Sequence, residues 1–446
     1  SEDYLDEAVE EFSRAIAIQP ENYLANRYMG WIALLQNRYA DAREHFQKSL
    51  LSLPRNGVTF YNLALSHEKE GDDEKALGAY TDSLKAAPSD DLAKSKIEDF
   101  LVLKEFKIGH PLRVTYGKEH FSRSLKKVKQ NLAEEAVLHL RRSLYLNPVD
   151  RGPRERLLEY YYTLGYYEFH VDELKDLLRL YPDQGYEERL NVAVIKRRGR
   201  LSYRAGFYDE PPPRDVPVVL VCDFFSGGDI TAHPDAGVVM ANYLTFALDQ
   251  FGRQSAVRLK ERLGVMQRLK PGEAFLGDNL ETLGGMVRKE EIPPLRYVIY
   301  GNYREGNDHL SARYRVLDFR NGVVIDEFEL SESGKDSVSR LSLRAAKRIF
   351  SGIPYEGRVL KTEANGVIVN LGLFDGVKPG DLLVMYRYEP SYASEKSGLK
   401  RKLVFTVEES DTLVSSAKPQ TEAHLEAVDV NEPIYPLTKR RARLIE

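Results

Sequence analysis

The chain has 446 residues, more than one hydrophobic core can organise, so about two to four domains are expected. Its 64 Lys and Arg against 68 Asp and Glu leave a net charge of −4, without the basic surplus of a general nucleic-acid binder. The one cysteine, Cys222, excludes an intrachain disulfide framework and a multi-thiol metal site, and no run approaches the roughly 18–20 apolar residues that span a bilayer.

The first half is self-similar at a period of 34 residues. Ala8, Ala42 and Ala76 keep that spacing, as do Phe12, Phe46 and Tyr80, and Pro20, Pro54 and Pro88. Within each unit the small residue, the aromatic four later and a second small residue (Ala15, Ser49, Ser83) fall on one helix face. Small residues let two helices approach, the aromatic fills the gap beside them, and proline ends the helix. Gly30 and Ala64 hold the matching small positions on the preceding helices. The register returns at Ala136, Leu140, Ser143 and Pro148, and Pro182 follows Pro148 by 34.

This pattern resembles the tetratricopeptide repeat family, whose helix–turn–helix units stack into a superhelix. Four units fit, over 23–56, 57–90, 117–150 and 151–184, preceded by half of one. Residues 91–116 break the period and read as an inserted helix and loop, and 185–206 reads as a capping helix. The all-α array thus covers 1–206. Residue 1 falls at the second helix of a unit, so an export signal or lipid anchor is expected upstream, with the protein in the periplasm.

Pro211-Pro212-Pro213 breaks any helix, and 207–216 reads as a linker. Val216–Phe224 then reads as a buried strand, followed by a Ser226-Gly227-Gly228 loop and a helix over 235–251. A short strand near 255–259 and helices near 261–269 and 278–290 come next. Three strands follow, at 296–304, 309–319 and 323–330, the last two joined by Asn321-Gly322, a pair suited to a type I′ turn. A helix over 335–350 completes a mixed-sheet α/β domain, 217–353. This order, with Tyr297-Val298-Ile299-Tyr300-Gly301 and the hairpin Tyr314–Val324, resembles the middle domain of the flagellar assembly protein FlgT, the TolB N-terminal domain and the curli-secretion protein CsgG.

From Tyr355 the pattern becomes short alternating strands. Gly357–Lys361 leads through Asn365-Gly366 into Val367–Gly372, and Asp375–Asp381 turns before Leu382–Tyr386. Later strands are expected near 402–407, 413–416 and 434–437, with a loop over 388–401. This all-β module, 354–446, resembles the SH3-like C-terminal module of FlgT proteins. FlgT has no helical repeats, so the first half departs from it. Repeats joined to such modules resemble the spirochaete flagellar collar proteins.

No enzyme signature emerges. Ser226, Asp229, His233 and Asp235 occupy a strand-to-helix loop, where α/β domains often bind ligands. The loop lacks the lysine and hydroxyl of a P-loop and the spacing of a metal site. Cys222 sits in an apolar strand and reads as a core residue. No catalytic residue, cofactor or metal is expected. The basic clusters Lys126-Lys127, Lys196-Arg197-Arg198 and Lys439-Arg440-Arg441 read as solvated helix faces or chain ends.

The repeat resemblance implies a concave groove lined by the first helix of each unit. Its positions map onto Arg27, Trp31, Leu34, Tyr61, Leu65, Lys69, Glu155, Glu159 and Tyr162. The family's chaperone-binding carboxylate clamp is not reproduced, since Trp31 and Leu65 stand where it needs asparagines. Of the tyrosine cluster Tyr160, Tyr161, Tyr162, Tyr166 and Tyr167, most are expected to pack between helices, with some free to anchor a partner. The reading is a non-enzymatic adaptor of a bacterial envelope machine, most simply a flagellar motor accessory or collar component. It would bind other proteins of that machine, with room for self-association, with membrane contact indirect or through an upstream anchor, and no nucleic acid. The alternative is an envelope module that senses a ligand or glycan through the 226–235 loop.

Overall fold

The computed structural model describes residues 2–197, 199–208, 210–226, 231–252, 254–270, 275–306, 309–353, 355–389, 399–421 and 428–437. Twelve helices come first: α1 (Glu2–Ile18), α2 (Tyr23–Leu35), α3 (Tyr39–Ser52), α4 (Gly57–Glu70), α5 (Asp73–Ala86), α6 (Asp91–Leu103), α7 (Pro111–Lys129), α8 (Ala133–Leu146), α9 (Arg151–Thr163), α10 (Tyr167–Leu180), α11 (Gln184–Arg197) and α12 (Leu201–Arg204).

The small positions are required sterically: a Cβ on Gly30 would lie 2.6 Å from the Phe46 ring. The serines of the same pattern have a second task. Ser49, Ser83 and Ser143 each donate a hydroxyl hydrogen bond to a backbone carbonyl 26 residues earlier, on Tyr23, Gly57 and Gly117, at 2.7–2.9 Å. They tie the second helix of a unit to the first.

The 91–116 segment differs from expectation in one respect. Helix α6 begins 34 residues after α4, which begins 34 after α2. Its N-cap Asp90 continues the series Asn22, Asn56, each side chain accepting from the amide three residues on at 2.9–3.0 Å. Helix α6 is therefore a first helix in phase, and the period breaks only after it, where the 19-residue α7 starts a second array.

The α/β domain is β1 (Val218–Val221), α13 (Ala236–Leu248), β2 (Ser255–Ala256), α14 (Leu259–Met266), α15 (Phe275–Arg288), β3 (Leu295–Glu305), β4 (His309–Asp318), β5 (Val323–Ser333) and α16 (Ser337–Gly352). The sheet order is β2-β1-β3-β4-β5, with β1 parallel to β2 and β3 and the rest antiparallel. The β4–β5 connection is not the expected two-residue turn. Four residues, 319–322, join the strands, and of them only Gly322 has positive φ (65°). Asp318 holds the turn by accepting from the Gly322 and Arg320 amides, so Asn321 never needs the left-handed region.

One face of the sheet packs on α13 and α16, and this core also takes in Leu92 of α6 and Leu138 of α8. Burying each contributes roughly 1.5–3 kcal/mol, so α6 and α8 each supply residues both to the repeats and to the core of the α/β domain. The other face buries Cys222 and Val298 beneath α14 and α15.

The C-terminal strands β6 (Gly357–Glu363), β7 (Gly366–Val369), β8 (Leu382–Glu389), β9 (Leu399–Ser410), β10 (Ser415–Pro419) and β11 (Pro433–Pro436) close a barrel in the order β10-β7-β6-β11-β8-β9. Much of the expected 388–401 loop lies outside the described residues; β8 and β9 extend into its two ends. Residues 210–216 form no helix or strand but are strapped down. Arg214 donates to the Gly252 carbonyl at 2.8 Å and pairs with Asp375, and the Pro213 carbonyl accepts from Asn370.

Candidate functional site

The first helices α2, α4 and α6 line a concave face, and the α/β domain's own loop lies in it. Tyr61 donates its hydroxyl to Asp235 at 2.5 Å, and Lys96 on α6 reaches Asp235 and Glu68, each at 2.9 Å. Asn62 donates to the Ala232 carbonyl at 3.1 Å. His233 stands edge-on to the Tyr61 ring with centroids 4.4 Å apart. Its two nitrogens meet Asp90 at 2.9 Å and Glu305 at 2.5 Å. Two sets of residues expected to serve separate partners thus bind each other.

This corrects the expected partner groove at its centre. Tyr61, Leu65 and Leu34 are 0%, 3% and 6% exposed, closed to any other molecule. Lys69 is exposed at the edge. Arg27 and Trp31 are half-buried beside a cavity of about 490 Å3 left between the repeats and the segment Thr231–His233. The expected ligand loop is corrected too, because His233 and Asp235 are already bonded. Ser226 is half-buried, and Asp229 lies outside the described residues. Among the described residues, no group of three or more His, Cys, Asp or Glu is placed to hold a metal ion.

The charges in this seam sustain one another. Burial pushes His233 down, but hydrogen bonds and charge from Asp90 and Glu305 outweigh it and raise its pKa to about 10. Burial pushes Asp235 up, and Lys96 with the Tyr61 hydroxyl brings it below its usual value. Burial likewise opposes the charge on Lys96, which Asp235 and Glu68 more than restore.

A second polar cluster joins α6, α7, α8 and α13. Glu98 accepts from His120 Nε2 at 2.9 Å and Arg142 Nη2 at 2.8 Å, and Asp99 accepts from Arg142 Nη1 at 2.9 Å. His120 Nδ1 lies 3.0 Å from His139 Nδ1. With its Nε2 hydrogen on Glu98, neutral His120 accepts there and His139 donates. The Arg142 guanidinium also lies 4.5 Å from the Tyr243 ring of α13. None of these side chains is accessible, and the cluster acts as a joint.

The groove of the second array is different. Glu159, Tyr162, Tyr167, His170, Val192 and Lys196 surround an open cavity of about 730 Å3 between α9, α10 and α11. Tyr162 is 48% and Val192 52% exposed, and the Lys196 ammonium lies 5.7 Å from the Tyr162 ring. Two expected groove residues, Glu159 and Tyr162, meet here. Glu155 is instead engaged by the Tyr186 hydroxyl at 2.5 Å and Arg151. Of the other clustered tyrosines, Tyr161 packs on Phe169 and Tyr166 on Phe374 of the barrel. The barrel docks on this array as well, through Asp411, which accepts from the Leu201 amide at 2.7 Å and from Arg200.

Asp90, Lys96, Glu68 and Glu305 were not singled out from the sequence, since their partners lie in other units or in the other domain. Only Asp90 had a local signal, the 34-residue spacing of Asn22, Asn56 and Asp90.

Fold and grooves together define a helical-repeat protein with two strand-rich domains packed on its repeats. The family model described as "Tetratricopeptide repeat" matches residues 3–57, the first of these helical units. Among solved structures the chain is similar to YrrB, described as a TPR protein with an unusual peptide-binding site (15% identity, 42% of this chain and 84% of that one, TM-score 0.22). It is also similar to MamA (11%, 40% and 88%, TM-score 0.21) and to TolB from Acinetobacter baumannii (10%, 46% and 39%, TM-score 0.23). No curated protein matches.

Proposed function

We propose that this chain is a non-enzymatic structural adaptor whose first groove fastens its own domains together and whose second groove takes a segment of another protein. One observation carries this reading: Asp235 and His233 fill the Tyr61 groove, while the Tyr162 groove is open and pairs exposed apolar and aromatic surface with charge. Tetratricopeptide repeats bind other proteins, and a mixed aromatic and charged groove suits an extended or helical segment.

The setting we propose is a bacterial envelope machine, with a periplasmic flagellar accessory or collar component as the narrower form. The support is the domain order, a five-stranded mixed sheet flanked by helices and then a six-stranded barrel, which matches the order expected from FlgT-like middle and SH3-like domains. Among the described residues, no helix is long and apolar enough to cross a membrane. Nothing in the seam favours ligand sensing by the 226–235 loop, whose His233 and Asp235 are committed.

The test is crosslinking in intact cells followed by purification, comparing the wild type with Tyr162→Ala/Val192→Asp. Envelope-machine proteins should accompany the wild type and be lost from the variant, with its unfolding midpoint unchanged. Undiminished recovery of the same proteins would place the contact elsewhere.

A further inference from the structure

Helix α11 occupies the place of a first helix, since Val192 and Ile195 follow Leu158 and Tyr161 of α9 by 34 residues. In the earlier units a second helix covers these positions. Gly30 lies against the Phe46 ring, Ala64 shares a core with Tyr80, and Leu158 shares one with Leu174. Tyr161 packs on Phe169 of α10. On α11 both positions are uncovered: Val192 is 52% and Ile195 63% exposed, three residues apart on one face.

Among the described residues, the chain supplies no second helix for this unit. Helix α12 has four residues, and its Leu201 is taken into a core with Ile368 and Val414 of the barrel. The charge beside the uncovered face is unmatched as well. Arg189 and Lys196 are exposed and stand over the Tyr186 and Tyr162 rings at 5.9 and 5.7 Å. Neither forms an ion pair among the described residues. The second helices already in place show what such a cation meets. Each has acid in its first turn: Asp41 in α3, Asp73 and Glu74 in α5, Glu134 and Glu135 in α8, Glu168 in α10. Glu135 pairs there with Lys127, near the end of α7, at 2.6 Å.

We propose that α11 receives its second helix from another protein, as an amphipathic helix with an acidic first turn. Its apolar stripe carries a small residue, a leucine four on and a small residue three further, the pattern of Ala136, Leu140 and Ser143 in α8. Val192 fills more of the gap than Gly30 does, so leucine takes the place of the aromatic, as Leu174 does beside Leu158. The docked helix continues the stacking of α9, α10 and α11, and its acid neutralises Lys196 and Arg189. This rests on the reading of the Tyr162 groove as a protein-binding site, whose wall includes Val192 and Lys196, and it adds Ile195, which does not line that groove.

The probe is a labelled peptide, acetyl-Asp-Pro-Glu-Glu-Ala-Ile-Lys-Ala-Leu-Gln-Lys-Ala-Leu-Lys-amide, held helical by a hydrocarbon staple opposite its Ala-Leu-Ala stripe. Titrated with the full chain, it should bind about tenfold more tightly than a counterpart with lysines for its two glutamates, because two attractive pairs become repulsive. Arg189→Glu/Lys196→Glu should reverse that preference. Ile195→Asp should abolish binding with the unfolding midpoint unchanged, and an unstapled peptide with proline for the central leucine should not bind. In the crosslinking comparison above, Ile195→Asp should lose the partners that Tyr162→Ala/Val192→Asp loses. The proposal is overturned, with the groove reading intact, if the stapled peptide does not bind, if the proline peptide binds as well, if the charge variant keeps the preference, or if only Tyr162→Ala/Val192→Asp loses partners. It falls together with that reading if neither variant loses any. Self-association of the full chain that Ile195→Asp removes would assign the face to a second copy and overturn it.

Discussion

Lys96 is the most informative residue to remove. Its ammonium stands 2.9 Å from Glu68 and 2.9 Å from Asp235, and the three side chains are 11%, 18% and 10% exposed. Lys96→Met keeps the length of the side chain and leaves two carboxylates facing each other in a largely dry seam. Removing one partner of a buried pair costs about 3–5 kcal/mol. The Tyr61 and Tyr80 hydroxyls still donate to the two carboxylates, so the lower end, about 3 kcal/mol, is expected. The chain's one tryptophan, Trp31, borders the seam cavity, and its fluorescence in urea therefore follows this region. With a slope of about 2–3 kcal/mol per M, the midpoint should fall by about 1 M. Lys96→Met/Asp235→Asn should recover part of the loss, since one stranded charge is gone. A change below about 0.5 kcal/mol, or a double variant that loses the sum of the two single losses, would refute the reasoning.

The His233 bridge predicts weakening on the alkaline side. Folded His233 keeps its proton up to about pH 10, whereas the unfolded chain releases it near pH 6.5. Its contribution is therefore complete below pH 6.5 and declines as the pH rises toward 10. Urea midpoints at pH 6, 8 and 10 should fall more steeply for the wild type than for His233→Gln. Gly237→Ala should leave little soluble protein, because its Cβ would lie 1.8 Å from the Phe224 carbonyl oxygen; normal expression and unfolding would show that the strand-to-helix turn is looser than described. Cys222 is 1% exposed and burial pushes its thiol pKa far up, so a thiol reagent should label the folded chain only at the rate of unfolding.

What could be read from the sequence was local and periodic. Ala42, Phe46 and Ser49 share one helix face, and their recurrence at Ala76, Tyr80 and Ser83 encodes the stacking of one unit on the next. Short alternating runs marked the first strands of the barrel for the same reason. The seam could not be read, because its bonds join residues about 140–170 positions apart, such as Asp90 with His233 and Tyr61 with Asp235, and no spacing rule connects them. Tyr61 was therefore placed in a groove by its position in the repeat and then found filled by its own chain. Helix α6 misled for a related reason: Leu92 serves the α/β domain, Lys96 the seam and Glu98 the cluster with His120 and Arg142, and the small-and-aromatic pattern ends before it. Asn321-Gly322 misled differently, since Asp318 supplies a turn that needs one left-handed residue instead of two.

Hydrogen exchange followed by mass spectrometry tests the central claim most directly, that the first groove is permanently filled by the chain's own α/β domain. Peptides from α4 (57–70) and from the start of α13 (235–248) should exchange slowly and open together as one unit, with α11 (184–197) exchanging faster than both. Rapid exchange in α4 while α13 remains protected would mean that the groove stands open, and the assignment of the two grooves would fail.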